Sequence, residues 1–299
     1  MRVVVTGASG FIGRHLVAAL AAAGEHVIAL SATRAVAGAA EWHAADILSA
    51  EARRIAARGD AIVHLAALSD ASLSRRDPYS YAKVNALGTA NILEAARESG
   101  AFFVLASSQR VYKPCPRPLA EDAPLQPQEP YGYSKLVAEH WLRMYRDLYG
   151  VGAVALRFFA VYGPGQAVSD GTSGVVSILL HRALAGEDIW VDGRKRRDLT
   201  HVDDVVRGVL AAIARGRSCR AAYNIATGTG TSLAALADLI IHVTGSRSRV
   251  ESKDGGGTDD LVADISLARK ELDYAPRVEL AEGLARTYDW LAGLATGPA

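Results

Sequence analysis

The sequence TGASGFIG at residues 6–13 decides the fold, because it joins a short apolar run to a segment with helical periodicity. Gly7 allows a tight turn, Gly10 lets the backbone approach a pyrophosphate, and Gly13 lets the helix pack closely on the strand. The start of such a helix offers free N–H groups and a positive dipole end to phosphates. This strand–turn–helix segment predicts a dinucleotide site, with GxxGxxG rather than GxGxxG spacing.

The same alternation of apolar runs and helical patterns continues up to residue 165. We predict strands at residues 2–6, 26–30, 60–66, 102–106 and 154–159, and helices at residues 11–23, 79–99 and 134–149. Strands that are apolar throughout are typical of a parallel sheet covered on both faces. Repeated βα units of this kind predict an α/β protein with a doubly wound parallel sheet.

Beyond residue 165, glycine and polar residues interrupt the pattern. We therefore predict a dinucleotide-binding domain at residues 1–165 and a smaller, mainly substrate-binding lobe at residues 166–299. Residues 200–226 are expected to return to the first domain. The stretch SRVESKDGGGTDD at residues 248–260 is interpreted as a flexible loop, because its charges and three consecutive glycines disfavour packing.

The composition argues against several classes of protein. The 299 residues carry a formal net charge of +1 with scattered Lys and Arg, which does not favour a nucleic-acid or membrane partner. Cys115 and Cys219 lack metal-ligand spacing, so we expect no metal site and a reduced compartment. The absence of a signal-peptide pattern and of a long apolar run predicts a cytoplasmic protein.

Three side chains form a candidate catalytic group. The strand predicted at residues 102–106 delivers Ser107 and Ser108 into a loop at the carboxyl end of the sheet, where ligands bind in such folds. Tyr131 and Lys135 open a predicted helix and share one face, because they are four residues apart. Lowering a tyrosine pKa from about 10 to about 7 takes roughly 4 kcal/mol. A neighbouring ammonium and a positively charged nicotinamide ring can supply that order of energy.

These positions predict roles for the three residues. Tyr131 would act as the acid or base, Ser108 would hydrogen-bond the reacting oxygen, and Lys135 would also bind the nicotinamide ribose. Tyr133 is a rival for Tyr131 but lies on a different helical face. His64 and His201 are interpreted as structural residues at strand or helix ends.

The second predicted strand leads to the adenosine end of the dinucleotide. It runs into Ser31 and Arg34 and lacks the carboxylate that commonly binds the ribose hydroxyls. A small hydroxyl with a nearby guanidinium, helped by Arg14, favours a 2′-phosphate and hence NADP, although solvated surface arginines remain the alternative. Asp46 and Ile47 are candidates for the adenine edge, and a surface role for the Asp46 carboxylate is the alternative.

With these motifs in order, the sequence resembles the extended short-chain dehydrogenase/reductases, specifically the NAD-dependent epimerase/dehydratase family of nucleotide-sugar enzymes. The similarity covers nearly the whole chain, and it includes TGASGFIG, VHLAAL, NALGTANILEAA, ASSQRVY, EDAPLQPQEPYGYSK, LRFFAVYGPGQ, RRDLTHVDDVV and YNIATG. The resemblance implies a Rossmann domain with a small C-terminal substrate lobe, often as a homodimer through a four-helix interface.

The resemblance also implies roles for particular residues. It assigns catalysis to Ser108, Tyr131 and Lys135, and it places Gln166 and Arg197 near a sugar nucleotide. For Arg197, a structural pairing with Asp198 or Asp203 is the alternative; for Asn85, a site role and a helix-packing role stay equally open. The residues implied to bind NAD or NADP, with NADP favoured, are Gly7, Gly10, Phe11, Ile12, Gly13, Ser31, Arg34, Asp46, Ile47, Leu65, Ala66 and Lys135.

Three departures from the family pattern affect the substrate. Gln109 and Arg110 follow Ser108 where the dehydratases carry an Asp-Glu pair, which disfavours a 4,6-dehydratase. Ala160 replaces an asparagine that contacts the nucleotide diphosphate in many relatives, and the loop GGGTDD lacks an arginine that often grips the nucleotide. An unusual substrate, even one without a nucleotide, is therefore an open alternative.

Three functions are compatible with these residues. The first is an NAD(P)-dependent epimerase, in which Tyr131 removes a hydroxyl proton during transient oxidation and the keto intermediate is reduced on its other face. The second is an NADPH-dependent ketoreductase of a nucleotide-linked keto-sugar, which uses the same three residues once and fits Ser31 and Arg34. The third, a non-catalytic nucleotide-sensing protein, would be expected to lose the tyrosine or the lysine.

Overall fold

A computed structural model describes residues 1–166, 174–253 and 260–296. The strands are β1 (Arg2–Thr6), β2 (His26–Ser31), β3 (Glu41–Ala44), β4 (Ala61–His64), β5 (Phe102–Ser108), β6 (Ala153–Phe158), β7 (Val161–Tyr162), β8 (Ile189–Asp192), β9 (Arg196–Asp198), β10 (Thr200–His201), β11 (Ala222–Ile225), β12 (Gly230–Ser232) and β13 (Val250–Lys253). The α-helices are α1 (Phe11–Ala22), α2 (Ala50–Ala56), α3 (Ala71–Ser74), α4 (Pro78–Tyr81), α5 (Gly88–Ser99), α6 (Pro130–Tyr149), α7 (Val175–Ala185), α8 (Val202–Arg215), α9 (Leu233–Thr244), α10 (Ser266–Leu272) and α11 (Leu280–Thr296).

The main sheet has seven strands in the order β11-β6-β5-β4-β1-β2-β3, and every neighbouring pair is parallel. The order of the strands reverses between β1 and β4, which is where a crevice opens at the carboxyl ends of the strands. This topology confirms the predicted Rossmann-type doubly wound sheet. The central strands are buried along their whole length because helices cover both faces.

Each face of the sheet has its own apolar core. Side chains of α1, α8 and α10 form one core with the sheet, and side chains of α2, α5 and α6 form the other. A third core joins α7, β8, α9 and α11 in the C-terminal lobe. Between residues 200 and 226, α8 packs on α1 and β11 pairs with β6 of the main sheet. No described helix is long and apolar enough to cross a membrane.

The sheet also contains a strand that the sequence pattern did not predict. Strand β3 alternates half-buried and exposed residues, among them Glu41 and His43, and lies at the sheet edge. A polar edge strand has no continuous apolar run, so its pattern resembles that of a loop. Helix α2, which follows it, was missed with it and is capped by Ser49, whose hydroxyl accepts from the Ala52 N–H at 3.0 Å.

The predicted helix at residues 79–99 is interrupted in the structure. It consists of α4, a π-helical segment at Ala82–Leu87, and α5. Asn85 lies in this segment and is buried; its amide bonds both backbone groups of Leu68 and the hydroxyl of Ser134. The segment therefore ties the loop after β4 to α6, which supports the helix-packing role of Asn85.

Three other predicted boundaries were wrong. Ser107 and Ser108 belong to β5 rather than to a loop, because Ser108 pairs with Phe158 of β6. Helix α6 begins at Pro130 rather than at residue 134, since proline is favoured at the first helical position. The supposed loop at residues 248–260 contains β13, which pairs with β8; its residues 254–259 lie outside the described residues.

Candidate active site

The three candidate catalytic residues meet in one cleft at the carboxyl end of the sheet. Ser108 is the last residue of β5, Tyr131 lies in the first turn of α6, and Lys135 follows one turn later. Ser108 lies next to Tyr131, and hydrogen bonding between their hydroxyls acts to lower the pKa of the phenol. The cleft has a volume of about 520 Å³, and all three residues line it. The structure thus brings together residues that are well separated along the chain.

Lys135 is buried in the wall of this cleft and fixed by a hydrogen bond. Only 4% of its surface is exposed, and its Nζ donates a hydrogen bond to the Ala106 carbonyl at 2.8 Å. Burial lowers the pKa of the Lys135 ammonium to about 8, against the opposing charge of Glu139. A lysine in this state still carries its charge at neutral pH but can lose it in mildly basic solution.

Two opposing effects act on the Tyr131 phenol. Burial raises its pKa, whereas the hydrogen bond with Ser108 and the positive charge of Arg110 lower it. Arg110 also lines the cleft. In the sequence, Arg110 indicated only that a dehydratase is disfavoured, and its position near Tyr131 was not predicted. Its position two residues after Ser108 was the signal that could have revealed it.

A buried polar network lies behind the serines. The Ser107 hydroxyl donates to Glu139 Oε1 at 2.5 Å, and Arg157 binds the same carboxylate with two hydrogen bonds of 3.0 and 2.7 Å. Arg157 also donates to the Tyr112 hydroxyl, which in turn donates to Asn224. The network connects β5, α6, β6 and β11, so it fixes the strand end that carries Ser108 relative to the helix that carries Lys135.

The turn at residues 6–13 has the geometry of a phosphate cradle. Gly7 has a φ of +67°, and a Cβ there would lie 2.6 Å from the Ala66 nitrogen. A Cβ on Gly13 would lie 2.3 Å from the Gly7 carbonyl oxygen. Gly10 caps α1 without a side-chain hydrogen bond, and the first turn contains no acidic residue. The first N–H groups of α1 therefore have no side-chain cap, and these residues fit a dinucleotide pyrophosphate.

At the predicted adenosine end, the hydroxyl of Ser31 already makes hydrogen bonds within the protein. Ser31 is buried; its hydroxyl donates to the Arg34 carbonyl at 2.7 Å and accepts from the Trp42 indole at 3.0 Å. Ser31 has therefore already used its only proton. Burial and the nearby charge of Arg34 both lower the pKa of Arg14, so two guanidinium groups lie near one another here.

The remaining predicted cofactor residues divide into two groups. Phe11, Ile12 and Leu65 line the cleft, and Ala66 lies against Gly7. Asp46 is exposed, and its carboxylate accepts from the Leu48 N–H at 2.9 Å; Ile47 is buried against Gly88. Their contact with a dinucleotide stays a prediction.

The predicted substrate residues belong to the same cleft. Gln166 and Arg197 both line it. The Gln166 amide accepts from Ser177 at 2.5 Å and donates to the Val161 carbonyl at 3.1 Å, which fixes its orientation. Asp198 accepts hydrogen bonds from Thr227 and Gly228, and Asp203 pairs with Arg286. Arg197 itself donates to the Arg196 carbonyl at 2.8 Å.

The two histidines have structural surroundings. His64 is buried between the hydroxyls of Thr6 and Thr89, and burial lowers its pKa to about 3. His201 caps α8, and burial lowers its pKa to about 4. Both rings are therefore neutral at physiological pH. Tyr133 is 55% exposed and does not line the cleft.

Residues 3–226 match the NAD-dependent epimerase/dehydratase family. The chain belongs to this family. It is thereby an enzyme of the extended short-chain dehydrogenase/reductase type, as the sequence resemblance implied. The match includes the glycine turn, both strand-end serines and the YxxxK segment.

Individual relatives of the epimerase/dehydratase family match over the full length. The UDP-glucose 4-epimerase of Mycolicibacterium smegmatis is 36% identical over 97% of this chain and 98% of its own. The UDP-glucose 4-epimerase of Thermotoga maritima, solved with UDP-glucose, superposes with a TM-score of 0.90 at 31% identity, covering 99% and 100% of the two chains. MoeE5, solved with UDP-glucose and NAD, has a TM-score of 0.89 at 33% identity over 99% and 100%. A second complex of MoeE5 contains UDP-glucuronic acid and NAD.

Proposed function

We propose that the protein is an NAD(P)-dependent epimerase that inverts a hydroxyl-bearing carbon of a nucleotide sugar through a transient keto sugar. The observation that carries the proposal is the meeting of Ser108, Tyr131 and Lys135 in the cleft that begins at the glycine turn. Full-length similarity to UDP-glucose 4-epimerases supports the reaction type. The bound dinucleotide would accept a hydride from the sugar and return it.

The side chains divide the proton chemistry between them. Tyr131 takes the proton of the reacting hydroxyl and returns it when the sugar is reduced on its other face. Ser108 stabilises the reacting oxygen by a hydrogen bond, and the ammonium of Lys135 offsets the effect of burial on the phenol. The amides of α1 hold the pyrophosphate, and the guanidinium of Arg197 suits the substrate's diphosphate.

A ketoreductase remains the second candidate because of the adenosine end. No carboxylate follows β2, and Arg14 and Arg34 lie near one another. Two guanidinium groups suit a phosphorylated ribose, so we propose NADP as the preferred cofactor. Since the Ser31 hydroxyl is occupied, the arginines and not Ser31 would bind the phosphate. A reductase would consume one NADPH for each turnover, whereas an epimerase would consume none.

We also propose that two copies of the chain associate through α5 and α6. Tyr133, Val137 and Leu148 are spaced along α6 so that they share a face, and they are 55%, 43% and 69% exposed. Leu87, just before α5, is 56% exposed. An apolar face of this kind is typical of an association surface. Light scattering of the purified protein should give the mass of a dimer.

Tyr131→Phe tests the catalytic assignment. The variant keeps the ring and its packing but loses the proton carrier, so kcat is expected to fall by about 1,000-fold or more. Cofactor retention and thermal stability should stay close to those of the wild type. Tyr133→Phe is the matched control, and its activity should be unchanged. Turnover of Tyr131→Phe within a few-fold of the wild type would remove Tyr131 from the mechanism.

A further inference from the structure

Two side chains next to the catalytic serine are not used by the reaction proposed above. Gln109 and Arg110 follow Ser108 in a short 3-10 turn, and both line the cleft with Tyr131. Two contacts fix the backbone of this turn. The Arg110 N–H donates to the Ser108 hydroxyl, and the Arg110 carbonyl oxygen packs so closely against Gly132 that a Cβ added there would lie 2.3 Å from it. The two side chains therefore have a defined position relative to the oxygen that Ser108 contacts.

The Arg110 guanidinium has unused hydrogen-bonding capacity. Its nearest acidic partner is Glu129, with Nε 3.9 Å from Oε1, which is longer than a hydrogen bond. Within residues 1–166, 174–253 and 260–296, no group accepts a hydrogen bond from this guanidinium. Its charge nevertheless reaches the reacting centre, since it lowers the pKa of Tyr131. Arg110 is thus a cation beside the reacting atoms with donors available to a ligand.

The Gln109 side-chain carbonyl oxygen also lacks a hydrogen-bond partner in the described part of the chain. Only 7% of the residue's surface is exposed. This carbonyl oxygen is an acceptor, so it calls for a donor such as a sugar hydroxyl or a water, whereas the NH2 group of the same amide can donate to a carboxylate. Gln109 and Arg110 together offer amide and guanidinium groups on the same side of the cleft.

Two carboxylates lie near this charge: Glu129, which is 6% exposed and 3.9 Å from Arg110, and Asp70 in the described lining of the cleft. Asp70 belongs to that lining, and its carboxylate is committed to the backbone N–H groups of Ser72 and Leu73 at 2.8 Å each. Lys135 adds a further positive charge from below. The guanidinium donors of Arg110 that no described group uses can therefore bind a carboxylate on the substrate.

We propose that Gln109 and Arg110 determine specificity by binding a carboxylate on the reacting sugar, which makes the substrate a nucleotide-linked uronic acid. A planar carboxylate matches the fork of the guanidinium, and the Gln109 amide donates to one of its oxygens. Ser108 contacts the reacting oxygen while the next two residues contact the neighbouring substituent. The proposal rests on the proposed epimerase function and specifies its substrate class.

The competing account is that Arg110 acts only on Tyr131. In that case its removal would slow every substrate equally, whether or not the sugar is charged. A role in carboxylate binding predicts a loss confined to the charged substrate. The difference between two substrates therefore separates binding from a general effect on the tyrosine or on folding.

The experiment measures kcat/KM for UDP-glucuronic acid and UDP-glucose with the cofactor-loaded protein, and binding of both to the loaded Tyr131→Phe variant. We expect the wild type to prefer UDP-glucuronic acid by about 100-fold. Arg110→Gln should lose about 100-fold on UDP-glucuronic acid and less than about 5-fold on UDP-glucose, with Arg110→Lys between. Gln109→Ala should lose about 10-fold on the acid alone. Arg143→Gln, an exposed arginine of α6, is the matched control.

Other outcomes have definite meanings. A preference for UDP-glucose, or equal losses on both substrates in Arg110→Gln, would overturn the proposal and leave the epimerase function intact. Tight, Arg110-dependent binding of UDP-glucuronic acid without turnover would support the carboxylate site while rejecting the proposed reaction. If neither compound binds or turns over, both proposals fail for uridine-linked sugars.

Discussion

The proposed dinucleotide end and the proposed sugar end of the cleft are built in different ways. At the first of these ends, residues 6–13 supply the glycine turn, the close packing of α1 on that turn and the start of α1. The expected binding there depends mainly on backbone geometry. At the sugar end, Arg110, Gln166 and Arg197 come from three separate segments and act through their side chains. Changes at the first end should therefore alter folding and cofactor retention, whereas changes at the second should alter substrate choice.

The largest combined effect on stability and cofactor retention is expected from Gly13→Ala, which tests the backbone cradle. The added Cβ would lie 2.3 Å from the Gly7 carbonyl oxygen and 2.6 Å from the Ala8 carbonyl oxygen, so α1 must move away from the turn. We expect the free energy of unfolding to fall by about 3 kcal/mol and the purified protein to lose its dinucleotide. Urea unfolding and mass spectrometry of released cofactor measure the two effects.

Gly24→Ala is the matched control for that substitution. Gly24 lies just beyond α1 with a φ of +77°, and a Cβ added there would meet no atom within 4 Å in the described part of the chain. Only backbone strain of about 1 kcal/mol is expected, with the cofactor retained. Equal losses of stability and cofactor in the two variants would contradict the cradle.

Glu139→Gln tests how much the buried polar network behind the serines stabilises the fold. It leaves Arg157, which is only 2% exposed, without its charged partner. Breaking such a buried pair typically costs about 3 to 5 kcal/mol of unfolding free energy. The control is Glu98→Gln, whose exposed carboxylate lies 3.8 Å from Arg53 and should contribute less than about 1 kcal/mol. Chemical denaturation that ranks the two variants equally would show that the network has no special role.

The pH dependence of stability tests the burial of Lys135. Because its folded pKa of about 8 lies below its unfolded value, the unfolded chain binds more protons between about pH 8 and pH 10. The free energy of unfolding of the wild type should therefore rise relative to that of Lys135→Met in this window, by up to about 3 kcal/mol. Urea titrations of both cofactor-free proteins measure it. If the unfolding free energies of the two proteins change equally with pH, folding does not lower the pKa of Lys135.

The turnover rate should fall, whereas the stability rises, as Lys135 loses its proton. The charged ammonium supports the Tyr131 phenolate, so turnover in the wild type is expected to decline as the pH rises through about 8. A pH–rate profile of kcat under saturating substrate measures this decline. Turnover that stays constant up to about pH 10 would mean that the charge of Lys135 does not support the phenolate.

The smallest effect is expected from Arg34→Ala at the adenosine end. If Arg34 binds a ribose phosphate, affinity for NADP should fall by about 10-fold, while affinity for NAD should change by less than about 2-fold. Calorimetry with both dinucleotides measures this difference, with Arg54→Ala as an exposed control. Unchanged NADP affinity would return Arg34 to a surface role.

The sequence predicted best what depends on local pattern. Strand β1 matches its predicted bounds, and β2, β5 and α1 match within two residues, because apolar runs and glycine positions specify them directly. Strand β3 was missed since its polar edge residues lack that pattern. The π-helical turn around Asn85 was missed because it depends on contacts with Leu68 and Ser134, far away in the sequence.

The site shows the same division. The positions of Ser108, Tyr131 and Lys135 in one cleft follow from topology that the sequence already predicted. The occupied hydroxyl of Ser31 depends on Trp42 of the missed strand β3, so the sequence could not reveal it. Likewise, the charge of Arg110 on Tyr131 depends on how the turn after β5 packs against α6.

The most direct test of the account is the product formed from a UDP-sugar by the purified protein without added cofactor, followed by nuclear magnetic resonance. The epimerase proposal predicts that the epimer accumulates over many turnovers with no net change in the redox state of the bound dinucleotide. Absence of the epimer, together with reduction of a UDP-linked keto sugar at the cost of one NADPH for each product, would contradict it and identify a ketoreductase.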